Sequence, residues 1–128
     1  MRNQNQQTGD LGEQYTVDFL KAQRFSILDT NFRTTLGEID VIAQKGEVVV
    51  FVEVKTRQSK RFSLHGLISP SKQQKIIRAA KQYISINFQE KDLLFRFDVA
   101  LLHYKKETDQ YDLEYISNAF GVKNEPTY

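Results

Sequence analysis

Apolar residues recur at helical spacing in the first part of the chain, between about Asp10 and Arg24. One apolar stripe on this predicted helix consists of Leu11, Tyr15, Phe19 and Ala22. A second stripe, on roughly the opposite side, consists of Val17 and Leu20. Glu13 falls on this second stripe, because successive helical residues turn by about 100°. A helix that is apolar on two sides is largely covered, so we expect Glu13 to be partly shielded from water.

Alternating and valine-rich segments then predict three strands. They run from Phe25 to Arg33, from Glu38 to Ala43 and from Val48 to Lys55. Residues 34–37 form a predicted turn, and residues 44–47 form a predicted hairpin turn. In the second strand Ile39 shares one face with Val41 and Ala43. The third strand has four valines on one face, and its other face carries Val49, Phe51, Glu53 and Lys55.

A basic loop is predicted over residues 56–70, followed by an amphipathic helix. Ser69 and Pro70 supply the N-cap of this helix and a proline suited to its first turn. Its apolar arc consists of Ile76, Ile77, Ala80, Tyr83 and Ile84, and its basic arc consists of Lys72, Lys75, Arg78 and Lys81. Two more strands are predicted, from Leu94 to His103 and from Tyr111 to Ser117.

The predicted order of elements is α, β, β, β, α, β, β, which is typical of a single α/β domain built on a mixed sheet. We place this domain at residues 9–121. Residues 1–8 are expected to be a disordered N-terminal tail, and residues 122–128 a frayed C-terminal tail.

Composition limits the kinds of catalytic and metal site that the protein can have and the cellular location that we expect. The chain has 128 residues and no cysteine, which excludes thiolate catalysis and cysteine-based zinc sites. No apolar stretch approaches the roughly 20 residues needed to span a bilayer, and the N-terminus has no apolar signal segment. We therefore expect a cytoplasmic protein without membrane contact, whose metal, if it binds one, is held by oxygen or imidazole.

Basic residues are concentrated in one part of the chain. Residues 54–89 contain eight Lys or Arg and no Asp or Glu, although the net charge of the whole chain is only +2. This segregation predicts a positive face that could hold a polyanion, and the alternative is an ordinary solvated helix face. The natural phosphate contacts are Arg57, Lys60, Arg61, Lys72 and Lys75. Each of them, taken singly, also fits a solvated surface charge.

Glu53 and Lys55 interrupt the strand that is otherwise richest in valine. Burial of a charge costs several kcal/mol unless the charge is paired or ligated, so these two residues need a partner. One explanation is an ion pair of Lys55 with Glu53 or with Asp40. The other is a metal site.

The geometry of a hairpin would allow a metal site. If the hairpin turns at residues 45–46, Asp40 lies opposite Phe51, on the face that holds Glu53 and one diagonal step from it. The two carboxylates could then converge on one hard cation, Mg²⁺ or Mn²⁺, with the backbone carbonyl of Val54 as a further ligand. Two acids and a lysine at a strand end are typical of metal-assisted phosphodiester hydrolysis, in which Lys55 would orient water or neutralise developing charge.

The strings Gly37-Glu38-Ile39-Asp40 and Glu53-Val54-Lys55 together resemble the motif of the metal-dependent PD-(D/E)XK nucleases. The αβββαβ core of that superfamily is similar to the order predicted above. Five longer segments are similar to the YraN-like family of small bacterial proteins, namely GEQYTVDFL, NFRTTLGEIDVI, VFVEVKTR, SPSKQQKIIRAAKQYI and RFDV. The resemblance covers roughly Gly9 to His103. Within RFDV we expect Arg96 and Asp98 to form a pair that supports the sheet.

The resemblance implies a restriction-endonuclease-like fold and a role for each of four residues. Glu13 resembles the first-helix acid that reaches the metal, Asp40 and Glu53 resemble the metal ligands, and Lys55 resembles the catalytic lysine. The family is related in fold to Holliday-junction resolvases, which implies branched or structured DNA as substrate and a homodimer that presents two active sites to two strands. The alternative is a non-catalytic nucleic-acid-binding module that keeps the fold and the basic surface.

Overall fold

The computed structural model describes residues 4–57, 68–89 and 92–122, with the backbone only for residues 4–10 and 57. Its helices are α1 (Gln4–Ala22) and α2 (Pro70–Asn87), and its strands are β1 (Ser26–Arg33), β2 (Glu38–Lys45), β3 (Val48–Arg57), β4 (Leu94–Lys105) and β5 (Gln110–Phe120). The described elements follow the predicted order. Neither described helix is long and apolar enough to cross a membrane.

The five strands form one mixed sheet in the order β1-β2-β3-β4-β5. Neighbouring strands are antiparallel except for β3 and β4, which are parallel and connected through α2. Leu20 of α1 joins buried residues on one face of the sheet, including Val50 and Val52. Ile76 of α2 joins the larger cluster on the other face, around Phe51. The prediction of a small α/β domain with a mixed sheet is confirmed.

The first helix differs from its prediction in its start and in its buried face. It begins at Gln4, before the predicted start near Asp10, and so overlaps the segment expected to be a disordered tail. Of the two predicted stripes, the first is covered only in part, because Leu11 and Tyr15 are 40% and 38% exposed. The buried positions are instead spaced four residues apart, at Gly12, Thr16 and Leu20.

Gly12 lets α1 approach β3 closely. A β-carbon at this position would lie 3.1 Å from Val54 Cγ1 and 3.2 Å from Thr56 Oγ1, so a larger residue would push the helix away. The hydroxyl of Thr16 donates a hydrogen bond to the Gly12 carbonyl at 2.8 Å, which leaves no unsatisfied polar atom at this contact. The close packing brings the next residue, Glu13, towards the sheet.

The hairpin of β2 and β3 closes one residue later than predicted. Lys45 pairs with Val48, so the turn residues are Gly46 and Glu47. Gly46 has a φ of 58°, which a two-residue hairpin turn requires and glycine adopts without steric cost.

This turn changes the register of β2 against β3. Phe51 lies opposite Ile42, and not opposite Asp40 as predicted. The difference is two residues, and because side chains alternate with a period of two, Asp40 keeps its predicted face. Ile39 does not, since it joins the cluster on the α2 side, whereas Val41 lies in the cluster on the α1 side. The ladder between β2 and β3 ends at Val41, whereas Ile39 stays paired with Phe32 of β1, which packs against the same cluster on the α2 side.

The turn between β1 and β2 packs directly against α2. The N–H of Thr34 donates to the Gly37 carbonyl at 2.9 Å, and its hydroxyl accepts from the N–H of Leu36 at 2.9 Å. A β-carbon on Gly37 would lie 2.5 Å from the carbonyl oxygen of Lys75, closer than a side chain tolerates. Glycine at this position therefore allows the turn and the helix to touch.

The second helix begins at its predicted cap. The Ser69 hydroxyl accepts a hydrogen bond from the N–H of Lys72 at 3.1 Å, and Pro70 lies in the first turn. The cap orders the helical turn in which Lys72 lies.

Candidate active site

Asp40 lies where β2 and β3 separate. The last pair of the ladder is Val41 with Val52. At the next position of β2, β3 is contacted by the side chain of Asp40 and not by the backbone. Oδ2 of Asp40 accepts a hydrogen bond from the N–H of Val54 at 2.8 Å. The N–H and C=O of one strand residue point to the same edge, so the carbonyl of Val54 faces the gap that holds the Asp40 carboxylate.

Glu53 is buried beside Asp40. The Asp40 carboxylate is close enough to raise the pKa of Glu53, and only 8% of the Glu53 side chain is exposed. Burial, and then the close contact and the negative charge of Asp40, raise the pKa of Glu53 from 4.5 to about 8. The pair therefore holds a proton near neutral pH. The buried Oε2 of Glu53 has no hydrogen-bond partner among the described residues.

Two lysines offset the charge of this acid pair. Nζ of Lys72 lies 3.6 Å from Oε2 of Glu53, which is an ion pair but too long for a hydrogen bond. Lys55 follows Glu53 by two residues on β3, so it shares the same face, and its charge lowers the pKa of Glu53. The ion-pair alternative expected Lys55 to pair with Glu53 or with Asp40. Within the described residues, the cation that pairs with Glu53 is instead Lys72.

Glu13 lies beside the acid pair without joining it. Its Oε1 accepts a hydrogen bond from Nδ2 of Asn31 at 2.8 Å. Burial raises the pKa of Glu13, the hydrogen bond from Asn31 lowers it, and the charge of Asp40 raises it. Among the residues described, no three acids or histidines are grouped closely enough to bind a metal ion, so the predicted set of three carboxylates is not formed. Asn31 was missed by sequence analysis, since nothing in its pattern connects it to α1.

The oxygen atoms of Asp40, Glu53 and Val54 fit a small hard cation. Mg²⁺ is usually bound through one or two carboxylates and keeps waters or substrate phosphates as its other ligands. Asp40 supplies one carboxylate and the Val54 carbonyl faces the same gap. Oε2 of Glu53 is ion-paired with Lys72 but accepts no hydrogen bond from the described residues, so it is a buried acceptor that a cation would satisfy. This all-oxygen set suits Mg²⁺ or Mn²⁺ and not a soft metal.

A groove of about 400 Å³ adjoins the acid pair. One wall is the β1–β2 turn and the other is the start of α2, and the charged side chains that line it are Arg33, Glu38, Lys72 and Lys75. Lys72 belongs to both the groove and the acid pair. Sequence analysis identified the two lysines and predicted the turn, but it assigned neither Arg33 nor the turn to the site. The available signal was the turn string Thr34-Thr35-Leu36-Gly37, which directly precedes the strand of Asp40.

The five predicted phosphate contacts fall into two groups. Lys72 and Lys75 line the groove. The side chain of Arg57, together with Lys60 and Arg61, lies outside the described residues. The contribution of the loop to phosphate binding therefore stays a prediction.

The expected pair of Arg96 and Asp98 is confirmed, and it lies away from the acid pair. The Arg96 guanidinium donates two hydrogen bonds to Asp98, at 2.9 Å each, and the fully buried carboxylate also accepts from the Tyr115 hydroxyl and the Asn118 N–H. Asp98 pairs in register with Val52, on the sheet face opposite to Glu53. The pair supports the sheet and does not line the candidate site.

Comparison with known proteins places this site within a matched segment. The model of the uncharacterised protein family UPF0102 matches residues 12–102, which include all four predicted catalytic residues. A UPF0102 protein of Dictyoglomus thermophilum is 40% identical over 117 residues, covering 91% of this chain and 98% of the relative. A UPF0102 protein of Clostridium perfringens is 38% identical over 123 residues, covering 95% of this chain and 100% of the relative.

Proposed function

The chain belongs to the uncharacterised protein family UPF0102, and from the site described above we propose that it is a Mg²⁺- or Mn²⁺-dependent endonuclease that hydrolyses phosphodiester bonds in DNA. The observation that supports this most is the buried contact between Asp40 and Glu53, with Lys55 and Lys72 beside it. Buried acids that repel one another cost folding free energy, and strongly perturbed pKa values of this kind cluster at functional sites.

In this proposal each residue has a distinct role. When bound, the divalent cation supplies Lewis acidity and lowers the pKa of the attacking water. Asp40 and Glu53 hold the cation through their carboxylates, and Val54 contributes its carbonyl oxygen. The Lys55 ammonium, next to Glu53 on the same strand face, orients water or neutralises the charge that develops on the phosphate. Glu13 is the first-helix acid beside these ligands, where the charge of Asp40 contributes to its raised pKa.

Cation binding is coupled to proton release. Glu53 has a pKa of about 8, so it is largely protonated at neutral pH and must lose its proton to act as a ligand. The proposal therefore implies that metal affinity rises between pH 6 and pH 8.

The proposed fold family, DNA substrate and homodimer rest on the order of helices and strands and on the sequence motifs. We assign the domain to the PD-(D/E)XK fold because α1 and β1–β4 with α2 follow its αβββαβ order. The resemblance to Holliday-junction resolvases supports branched or otherwise structured DNA as the substrate. It also supports a homodimer that acts on two strands at once, and the lack of an apolar signal or membrane-spanning segment in the sequence leads us to place this activity in the cytoplasm. Lys72 and Lys75 supply cations for the DNA backbone next to the acids.

A second candidate is a nucleic-acid-binding module without catalysis. It is favoured by the Lys72 ammonium, which lies 3.6 Å from the carboxylate proposed as a ligand. It is also favoured by Glu13, which contacts Asn31 and so does not complete a three-acid group within the described residues. Under this alternative the acid pair is a structural charge cluster, and nucleic acid binds without turnover.

One experiment separates the two candidates. Purified protein is incubated with linear, flapped and four-way DNAs of related sequence, each with Mg²⁺, Mn²⁺ or EDTA. The endonuclease proposal expects metal-dependent cleavage of at least one structured DNA and none in EDTA. Binding without cleavage of any DNA or RNA in either metal would favour the module.

A further inference from the structure

We infer that the groove between the β1–β2 turn and α2 is a subsite for the nucleotide that adjoins the scissile phosphate. This inference rests on the proposed function, because it takes the ligand to be a nucleic acid. It adds a second binding surface, formed by Arg33 and the turn, to the lysines of α2.

The charge of the groove suits an anionic ligand. Its lining contains three cationic side chains, Arg33, Lys72 and Lys75, and one anionic side chain, Glu38. Nε of Arg33 lies 3.4 Å from Oε2 of Glu38, and both side chains are well exposed. An exposed pair of this kind is weak, so Arg33 can exchange Glu38 for a phosphate at little cost.

The groove is shaped by backbone contact and not by flexible side chains alone. Gly37 touches the backbone of Lys75 so closely that a β-carbon would not fit. The hydroxyl of Thr34 accepts from the N–H groups of Leu36 and Gly37 and thereby orders the turn. A wall fixed in this way keeps the backbone positions of its cationic residues at a constant separation, which lowers the cost of binding.

The size and position of the groove favour a single nucleotide. Its volume of about 400 Å³ falls within the range of about 300–1,000 Å³ typical of small-molecule sites. Lys72 lines the groove and pairs with Glu53, so the groove lies one side chain away from the proposed hydrolytic centre. Leu36 is 45% exposed in the wall and offers apolar surface to a sugar or base. Contacts to phosphate and sugar carry no base identity, so this subsite should bind DNA without sequence preference.

The first test measures DNA binding without turnover. Fluorescence anisotropy of labelled four-way and linear DNA is recorded in EDTA over a range of salt concentrations. Arg33→Gln and Lys75→Gln are expected to weaken binding several-fold and to reduce the salt slope by about 1. Glu38→Gln is expected to tighten binding about two- to fivefold by freeing Arg33.

Two matched variants control for net charge. Lys81→Gln removes an exposed lysine on α2 about 9 Å further along the helix axis than Lys75, outside the groove. Glu47→Gln removes an exposed acid from the hairpin turn at the opposite end of β2 from Glu38. The inference is overturned if Lys75→Gln binds like Lys81→Gln, or if Glu38→Gln binds like Glu47→Gln.

The second test distinguishes a nucleotide from a free anion. Thymidine 5′-monophosphate and inorganic phosphate are titrated separately into ¹⁵N-labelled protein, and the amide signals of residues 34–38 are followed. The nucleotide should shift these signals at lower concentration than phosphate does. Equal shifts with both probes would reduce the groove to an anion site and overturn the assignment.

The outcome is separable from that of the proposed function. If no DNA is cleaved but the groove variants change binding as expected, the groove stands as a nucleotide-binding site and hydrolysis fails. If the wild type cleaves DNA with Mg²⁺ while the groove variants bind like their controls, hydrolysis stands and the subsite fails.

Discussion

Replacing Glu53 with glutamine should make the metal-free protein more stable at pH 8. Burial and the neighbouring Asp40 raise the pKa of Glu53 from 4.5 to about 8. An acid whose pKa is raised on folding contributes stability that is complete below about pH 4.5 and is lost as the pH rises towards 8. At about 1.4 kcal/mol per pH unit, the loss amounts to at most about 5 kcal/mol. Glutamine has similar size and does not ionise, so the variant should not show this loss.

The assay is urea unfolding in EDTA at several values between pH 5 and pH 8.5. Tyrosine fluorescence or circular dichroism reports the transition, since the chain has six tyrosines and no tryptophan. Glu47→Gln is the control, because Glu47 is exposed in the hairpin turn. Wild type and Glu47→Gln should lose a few kcal/mol more than Glu53→Gln between pH 5 and pH 8. Parallel pH profiles for Glu53→Gln and wild type would refute the reasoning.

Two further changes test the surroundings of the site, and a third tests the buried pair that supports the sheet. Gly37→Val should lower the unfolding free energy by about 1–3 kcal/mol through its clash with the Lys75 carbonyl, and urea unfolding that shows no loss would contradict this. Asp98→Asn should cost about 3 kcal/mol in the same assay by breaking the pair with Arg96, and wild-type stability would be the contrary result. Lys72→Gln should raise the pKa of Glu53, because Lys72 lowers it, and a carboxyl NMR titration with an unchanged pKa would speak against the contact.

The acid pair could be predicted from sequence because it depends on the alternation of strand residues. Glu53 and Lys55 share a face by spacing alone, and any hairpin register of the correct parity brings Asp40 to that face. The predicted register was wrong by two residues, yet this error preserved the face. The cap at Ser69 was likewise local, since its partner is only three residues away.

Contacts between distant elements could not be predicted in the same way. The pairing of Lys72 with Glu53, and of Asn31 with Glu13, depends on how α2 and β1 pack, and no periodicity encodes it.

The buried face of α1 differs from the predicted apolar stripes for a related reason. The close contact of Gly12 with β3 selects that face, although a glycine adds nothing to an apolar stripe. Tyr15 belongs to the more apolar stripe and lies at the margin, where its ring contacts Tyr111 of β5 at 5.8 Å between centroids.

The central claim is that Asp40, Glu53 and Lys55 form a hydrolytic site, and single-turnover cleavage of a four-way DNA tests it most directly. Wild type and Lys55→Ala are compared with protein in excess, in Mg²⁺ and in EDTA, and the dissociation constant of each is measured in EDTA. We predict Mg²⁺-dependent cleavage by the wild type, a rate at least ~100-fold lower for Lys55→Ala, and similar dissociation constants for the two. Cleavage by Lys55→Ala at the wild-type rate would contradict the account, as would a wild type that binds the DNA and cuts it with neither Mg²⁺ nor Mn²⁺.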